Sequence, residues 1–143
     1  MYLTPHFTLE ELTVSQIAAR EGLDNTPPAQ ALANLKTLCL TLEQVRALVG
    51  APIMISSGFR GVELNRRVGG AANSAHTRGL AADFSTPAYS AKELAMRIRD
   101  SELMFDQLIL EFDQWVHLAL AVEKPRREVL TVRRGTGYLP GIR

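Results

Sequence analysis

Residues 106–122, DQLILEFDQWVHLALAV, decide the fold. Two apolar runs, LILEF and WVHLALAV, flank the polar dipeptide Asp113–Gln114. Runs of this length are typical of β-strands, and so short a connection brings two neighbouring strands together as an antiparallel pair. The sequence therefore predicts a β-hairpin over this stretch.

Around this hairpin the chain changes from helices to strands. Three further strands are predicted, at residues 53–59, 81–85 and 128–134. One more helix is predicted over residues 90–101, and the last segment, 135–143, is expected to be a loose tail. This order favours an α+β fold, with a helical N-terminal part packed on a small, mostly antiparallel sheet.

The N-terminal third is predicted to be helical. Thr8 and Glu11 form a capping box, which is typical of the first turn of a helix. Between Pro27 and Gly50, apolar residues recur at three- and four-residue steps, which indicates one long helix with a stripe facing the core. We expect Thr26 to cap this helix and Gly50 to end it.

The composition is that of a soluble globular domain, with 46% hydrophobic and 22% charged residues over 143 positions. The single cysteine, Cys39, excludes an internal disulfide and is expected to be buried. The first residues lack the basic and apolar regions of a signal peptide, and no apolar run reaches the length of a membrane span. We therefore expect synthesis in the cytoplasm without a signal peptide, and no stable membrane insertion.

The charge is uneven although the net charge is only +1. From Lys124 onward, the chain contains six basic residues and a single acid, Glu128. Such a segment is either a solvated tail or a patch for an anionic surface, such as nucleic acid or cell envelope. Because aromatic and basic residues do not alternate there, we expect no nucleic-acid partner.

Two of the three histidines lie where chemistry is plausible. His76 lies in a polar, glycine-containing stretch, and Asp83 follows seven positions later behind small residues. His117 lies in the second strand of the hairpin, where it shares a face with Trp115 and Ala119. The alternate residues, one valine and two leucines, make a better core face, so His117 is expected to point into a groove. The remaining histidine, His6, is expected at the surface.

Two histidines and one aspartate on separate elements are the ligand set of an open zinc site. Zinc makes hydroxide available near neutral pH, and a nearby carboxylate is then needed to move protons. Glu111 at the end of one strand and Asp113 in the turn are the candidates. A lone His–Asp pair is more often a structural hydrogen bond, in which the aspartate fixes the imidazole tautomer, so at this point both interpretations stand.

A resemblance to a known family favours the metal. Residues 57–84 and 105–120 resemble the zinc D,D-carboxypeptidases and L,D-endopeptidases of the M15 group of peptidoglycan hydrolases, which share their fold with the hedgehog signalling domain. The family motif S-x-H-x-x-G-x-A-x-D is filled without departure, and W-x-H follows at Trp115 and His117. The helical N-terminal part resembles the lead-in of phage endolysins of this group.

The resemblance implies that His76, Asp83 and His117 hold Zn²⁺. Many bacterial members carry the general base three residues before the last histidine, but Gln114 stands at that position here. The hedgehog-like pattern, with a glutamate six residues before the last histidine, points instead to Glu111.

The resemblance also implies a catalytic and substrate-binding role for Arg60, whose guanidinium would bind a carboxylate or the scissile carbonyl. The alternative for Arg60 is a purely structural role, in a salt bridge to Glu63. Ser74 either binds substrate or stabilises its own loop. Arg78 is expected to be a solvated loop charge.

These features predict one zinc peptidase domain over residues 1–143, with a helical lead-in at about 8–50 and a metal-site core at about 53–133. The expected enzyme is a zinc metallopeptidase, a phage-endolysin-like monomer that cleaves peptidoglycan stem peptides or cross-links after release at lysis. The alternatives are a bacterial D-alanyl-D-alanine carboxypeptidase or dipeptidase, and a zinc-stabilised binding module without activity.

Overall fold

The computed structural model describes the whole chain, residues 1–143. The five α-helices are α1 (Leu9–Thr13), α2 (Gln16–Glu21), α3 (Ala29–Val49), α4 (Val62–Arg67) and α5 (Ala91–Arg99). The eight strands are β1 (Tyr2–Thr4), β2 (Phe7–Thr8), β3 (Met54–Ser57), β4 (Ala81–Ser85), β5 (Gln107–Glu111), β6 (Trp115–Ala119), β7 (Glu128–Arg133) and β8 (Gly137–Pro140). A 3-10 turn covers Ala75–Arg78. This α+β architecture agrees with the predicted fold class.

The N-terminal part is helical only after residue 8. The capping box predicted at Thr8 and Glu11 is present at the start of α1. The residues before it form a small antiparallel ribbon, β1 and β2, which the sequence pattern does not predict. None of the helices combines the length and the apolar character that crossing a bilayer requires.

The long helix α3 buries its predicted apolar stripe and ends at Gly50, whose φ of 71° closes the helix in the left-handed region. The predicted cap at Thr26 is wrong. Two consecutive prolines follow it, and a residue before a proline is disfavoured in the helical region. Helix α3 therefore begins one residue after Pro28, and no side chain caps it.

Six strands form the main sheet, in the order β3-β4-β6-β5-β7-β8. The predicted hairpin is confirmed, since β5 and β6 pair antiparallel from Gln107↔Ala119 to Glu111↔Trp115. Only β5 and β7 are parallel. The C-terminal segment is not a loose tail: β8 pairs antiparallel with β7 at the sheet edge, where alternating side chains can lie on a solvated face.

One face of this sheet packs against α3 and α5, and the hydrophobic core lies between them. Its strand residues are fully buried in a single cluster with the helix stripes: Ala82, Phe84, Leu108, Leu110, Val116 and Leu118. Cys39 lies in the same cluster with no exposed surface, as expected. The opposite face is not covered by a helix layer of this kind, and the alternate side chains of the same strands line a cleft there.

Candidate metal centre and cleft

Three ligating side chains converge on the cleft face of the sheet. Each of His76, Asp83 and His117 offers a donor atom, and these atoms all lie within 4.8 Å of one another. The two imidazole rings lie 5.1 Å apart, measured between their centroids. All three residues are buried, so their convergence is set by the packed interior and not by mobile surface side chains.

Asp83 and His117 come from neighbouring strands. They are direct partners in the antiparallel ladder of β4 and β6, and the Nδ1 of His117 lies 2.9 Å from the Oδ1 of Asp83. On the other side of β4, the register with β3 shifts between Ile55 and Ser57, and the Ser56 hydroxyl donates to the Asp83 carbonyl at 3.1 Å. Such bulges next to a site re-aim its side chains.

His76 is held by its loop and not by the sheet. The Ser74 hydroxyl accepts a hydrogen bond from the His76 amide and caps the 3-10 turn. The His76 Nδ1 lies 2.8 Å from the Gly58 carbonyl, while its Nε2 lies 3.3 Å from the Oδ1 of Asp83. An Nδ1–H donated to a carbonyl leaves Nε2 free as a metal ligand, which is the usual arrangement of metal-binding histidines.

The motif glycine has a steric reason. Gly79 ends the 3-10 turn with a φ of 73°, and a Cβ at this position would lie 2.5 Å from the Ala31 carbonyl oxygen on α3. A side chain would therefore push the turn away from α3 and move His76, which lies within the turn. Glycine is the residue that allows both the backbone angle and the close approach.

The charge on Asp83 is stabilised by its neighbours. Burial alone would raise the pKa of this carboxyl, but its close polar contacts with the ring nitrogens of His117 and His76 outweigh that effect. The pKa of Asp83 lies well below its ordinary range as a result. This carboxylate is therefore ionised at any pH at which a metal ion could compete for it.

The donor set fits zinc. Two imidazole nitrogens and one carboxylate oxygen are typical protein ligands of a zinc ion that keeps a position open for water or substrate. The side chains of His76, Asp83 and His117 face one another across a few ångströms, and the second nitrogen of His76 is already fixed by a backbone carbonyl. The three residues predicted as ligands are thus brought together.

Glu111 lies in the same cleft, at the end of β5. Its Oε1 accepts a hydrogen bond of 2.7 Å from the indole nitrogen of Trp115, its ladder partner on β6. Burial raises the pKa of Glu111, and the Asp83 charge raises it further, while His117 and the Trp115 hydrogen bond act in the opposite direction. A carboxyl with a raised pKa is better matched to proton transfer near neutral pH.

The other two positions at which a general base was considered, 113 and 114, lie outside the cleft. Asp113 is exposed at the tip of the hairpin and forms a two-bond pair with Arg133, with Oδ2–Nε at 2.7 Å and Oδ1–Nη2 at 2.8 Å. This pairing lowers the pKa of Asp113. Gln114 is also exposed in the turn. Of the three, Glu111 alone lines the cleft that holds His117.

Arg60 lines the cleft as well. Burial lowers its pKa, and the charges of Asp83 and Glu111 raise it again. It forms no salt bridge with Glu63, which pairs with Arg66 instead. Its Nε is buried and has no hydrogen-bond partner. The guanidinium of Arg60 therefore forms no structural ion pair.

The backbone around Arg60 is held on both sides. Asn25 donates to the Phe59 carbonyl at 3.1 Å and accepts from the Gly61 amide at 2.7 Å, so it bridges the residues before and after Arg60. The Arg60 amide itself donates to the His76 carbonyl at 3.1 Å. Sequence reasoning missed Asn25, because a single asparagine in a connection before prolines has no periodicity to distinguish it.

Gly58 completes this segment. Its carbonyl is the partner of His76, and the next amide, of Phe59, donates to the Leu12 carbonyl at 2.7 Å. A Cβ on Gly58 would lie 2.4 Å from that same Leu12 oxygen, so a side chain here would separate the segment from α1. The segment Gly58–Gly61 is called the arginine loop below.

The cleft has a volume of about 720 Å³. Ser74 and the exposed Arg78 line it, and three residues of the C-terminal part do so too, Arg126, Leu130 and Tyr138. Arg126 is bound to Asp106 by two hydrogen bonds of 2.9 and 3.0 Å. Part of the basic C-terminal segment thus has acidic partners, and the tyrosine of the presumed tail contributes to the cleft.

The chain was compared with known proteins. A family model described as "Peptidase M15" matches residues 5–119. A zinc D-Ala-D-Ala carboxypeptidase of Streptomyces albus G is 38% identical over 73 residues, which are 50% of this chain and 29% of that protein. The chain thus spans less than a third of the relative that it matches. Because the family model covers most of the chain, from the ribbon to β6, the chain belongs to the peptidase M15 family.

Proposed function

We propose that this chain is a zinc-dependent peptidoglycan peptidase that hydrolyses an amide bond in the stem peptide or the cross-link. One observation carries the proposal: the donors of His76, Asp83 and His117 converge within 4.8 Å, and the Glu111 carboxylate lies in the same cleft. Family membership and the printed name of the relative from Streptomyces albus G support the peptidase class and the zinc ion.

In this proposal His76, Asp83 and His117 hold the ion. When bound, zinc would supply Lewis acidity, which makes hydroxide available near neutral pH and polarises a carbonyl group. Glu111 would take a proton from the attacking water on its carboxylate and return that proton to the nitrogen of the departing amine. Its partly buried setting and its hydrogen bond from Trp115 hold the carboxylate in one orientation for both transfers.

Arg60 would bind the substrate in the same cleft. A guanidinium offers a planar set of donors that suits either a peptide carboxylate or the oxygen of the scissile carbonyl. The side chain is free of acidic partners, and its backbone is held by Asn25 and by the His76 carbonyl. Ser74 would act through the loop, because its hydroxyl already caps the turn that carries His76.

Mass spectrometry of digested peptidoglycan fragments tests this function. The zinc-loaded protein should release new amines and carboxylates at one type of peptide bond, and a chelator should stop the release until zinc is restored. No new ends from any stem peptide, with one zinc bound, would contradict the proposal. That result would favour the zinc-stabilised binding module.

The name of the relative favours a second candidate, a D-alanyl-D-alanine carboxypeptidase. The same digest separates the two. A carboxypeptidase releases free D-alanine and leaves the sacculus cross-linked, whereas an endopeptidase cuts stem peptides or cross-links and lowers the turbidity of a sacculus suspension. We propose the second behaviour, and with it an endolysin-like monomer that acts on the cell wall once it is released during phage lysis.

A further inference from the structure

A second cavity lies outside the cleft, between α2, β3 and α4. It has a volume of about 400 Å³. Its lining comprises Val14, Ser15, Gln16, Ile17, Arg20, Ser56, Ser57, Phe59, Arg60, Leu64 and Val68. Arg60 is the residue that lines both this cavity and the cleft. The cavity is therefore a neighbour of the proposed active site and not a remote surface feature.

The lining of this cavity has positive charge and no acid. Its two ionisable residues are Arg20 and Arg60, and neither forms an ion pair. The two nearby arginines on α4 behave differently, since Arg66 pairs with Glu63 and Arg67 with Glu21. Of these four arginines, only the two at the cavity lack an acidic partner, and their positive charge favours an anionic ligand there.

The buried Nε of Arg60 needs an acceptor. An N–H group that is buried without a partner costs about 1–3 kcal/mol relative to one that is hydrogen-bonded. A carboxylate would supply the acceptor, because two parallel bonds from a guanidinium fit its geometry. No side chain of the chain fills this role, so the Nε–H group of Arg60 is available to an acceptor on a bound ligand.

The remaining wall is apolar. Phe59 and Leu64 are buried at its base, while Val14 and Val68 remain 66% and 38% exposed at its rim. A carboxylate that is flanked by small apolar groups, such as methyl groups of alanine residues, would contact both parts of this lining. A highly charged inorganic anion would leave the apolar part unused.

We propose that this cavity is a carboxylate subsite for the peptide whose scissile bond lies in the cleft, with Arg20 and Arg60 as its cationic residues. The peptide would pass Arg60 on its way from the cleft into the cavity. The inference rests on the proposed function for the identity of the peptide, and on the cavity alone for the carboxylate.

Nitrogen-15 NMR of the arginine Nε–H groups tests the subsite without requiring turnover. The zinc-loaded Glu111→Gln protein is titrated with a synthetic stem pentapeptide, L-Ala–D-Glu–L-Lys–D-Ala–D-Ala. Two further peptides are amidated, one at the C-terminal carboxylate and one at the free carboxylate of D-Glu. We expect the Arg60 Nε–H proton signal to move downfield with the parent peptide, and one of the two amidations to abolish the movement and so identify the carboxylate.

Arg20→Gln supplies the matched variant, and Arg66→Gln on the adjacent helix is its control. Arg20→Gln should weaken binding of the parent peptide about tenfold, and Arg66→Gln should not change it. The subsite is refuted if neither amidation changes the Arg60 signal, or if both variants bind alike. Carboxylate-dependent binding by a wild-type protein that hydrolyses nothing would refute the proposed function and leave the subsite standing.

Discussion

The two walls of the cleft are built in different ways. The strand wall carries Asp83, His117 and Glu111 on adjacent β4, β6 and β5, where a continuous backbone ladder fixes each position. The loop wall carries His76 and Arg60 on segments without regular pairing. There, single hydrogen bonds to carbonyl and amide groups hold the residues.

This difference predicts how each wall fails. On the strand wall a side chain can be removed while the ladder and the core behind it keep the backbone in place. On the loop wall the same side chains that do chemistry, or their direct neighbours, also hold the backbone. Substitutions there should affect geometry and stability together.

The largest expected effect is the loss of the metal. His76→Ala and His117→Ala should each weaken zinc binding more than about 100-fold. Loss of a residue that only hydrogen-bonds to a metal ligand already lowers metal affinity about 10–100-fold. Competition with a chromophoric chelator measures this, and His6→Ala at the surface is the control. In the metal-free state His76→Ala should be the less stable variant, since it also loses the bond to Gly58. Equal stability would contradict the difference between the walls.

The next effect concerns the loop wall alone. Asn25→Ala removes three hydrogen bonds, to the Thr13 and Phe59 carbonyls and from the Gly61 amide. At about 1 kcal/mol each, the free energy of unfolding should fall by about 3 kcal/mol, measured by urea denaturation.

The same variant should keep its zinc and lose catalytic efficiency, because Arg60 is no longer aligned. Asn25→Asp keeps the acceptor for Gly61 but places a carboxylate oxygen against the Thr13 and Phe59 carbonyls, so we expect it to be at least as unstable as Asn25→Ala. Loss of zinc in Asn25→Ala would mean that the arginine loop and the metal ligands are one unit.

A smaller effect depends on pH and tests the strand wall. Glu111 has a raised pKa in the folded protein, so the unfolded chain releases this proton at lower pH. The stability of the metal-free protein therefore decreases as pH rises from the ordinary glutamate pKa through the raised one. Metal-free Glu111→Gln should be more stable than metal-free wild type at pH 7, with the difference vanishing near pH 4. Urea denaturation with a chelator at several pH values checks the sign.

The smallest effect concerns the reactivity of Cys39 on helix α3, which lies beneath both walls. Burial, with smaller contributions from Glu11 and Glu43, raises the pKa of Cys39 to about 12. The folded protein should not react with a thiol-specific disulfide reagent at pH 8, and should react fully in urea. Rapid reaction under native conditions would show that α3 opens locally and that the support beneath the cleft is loose.

The sequence predicted the strand wall better than the loop wall. Alternation along β6 placed His117 on the cleft face, and the short polar turn indicated the hairpin; both follow from the period of a strand. The motif resemblance then pointed to Asp83 as a metal ligand and to Glu111 as the base, the roles that we propose for them. The parallel pairing of β5 with β7 could not be predicted, because the sequence does not specify which distant strands meet.

The sequence and the resemblance indicated His76 and Arg60 on the loop wall, but the contacts that hold these two residues gave no comparable signal. The bonds of Asn25 and of the Gly58 carbonyl span 12 to 36 positions, and no local pattern encodes such contacts. Strand β8 was missed for another reason: its four residues include a glycine and a proline, which are rare within strands. Proline is tolerated there because β8 is an edge strand.

The most direct test of the proposed chemistry compares Glu111 with Asp113, the two acids that the sequence offers as candidates for the general base. Zinc content and the rate of amine release from peptidoglycan are measured together for wild type, Glu111→Gln and Asp113→Asn. We predict that Glu111→Gln keeps one zinc and loses about 10²–10⁴-fold in rate, while Asp113→Asn stays within about twofold of wild type. A Glu111→Gln variant as active as wild type would contradict the assignment.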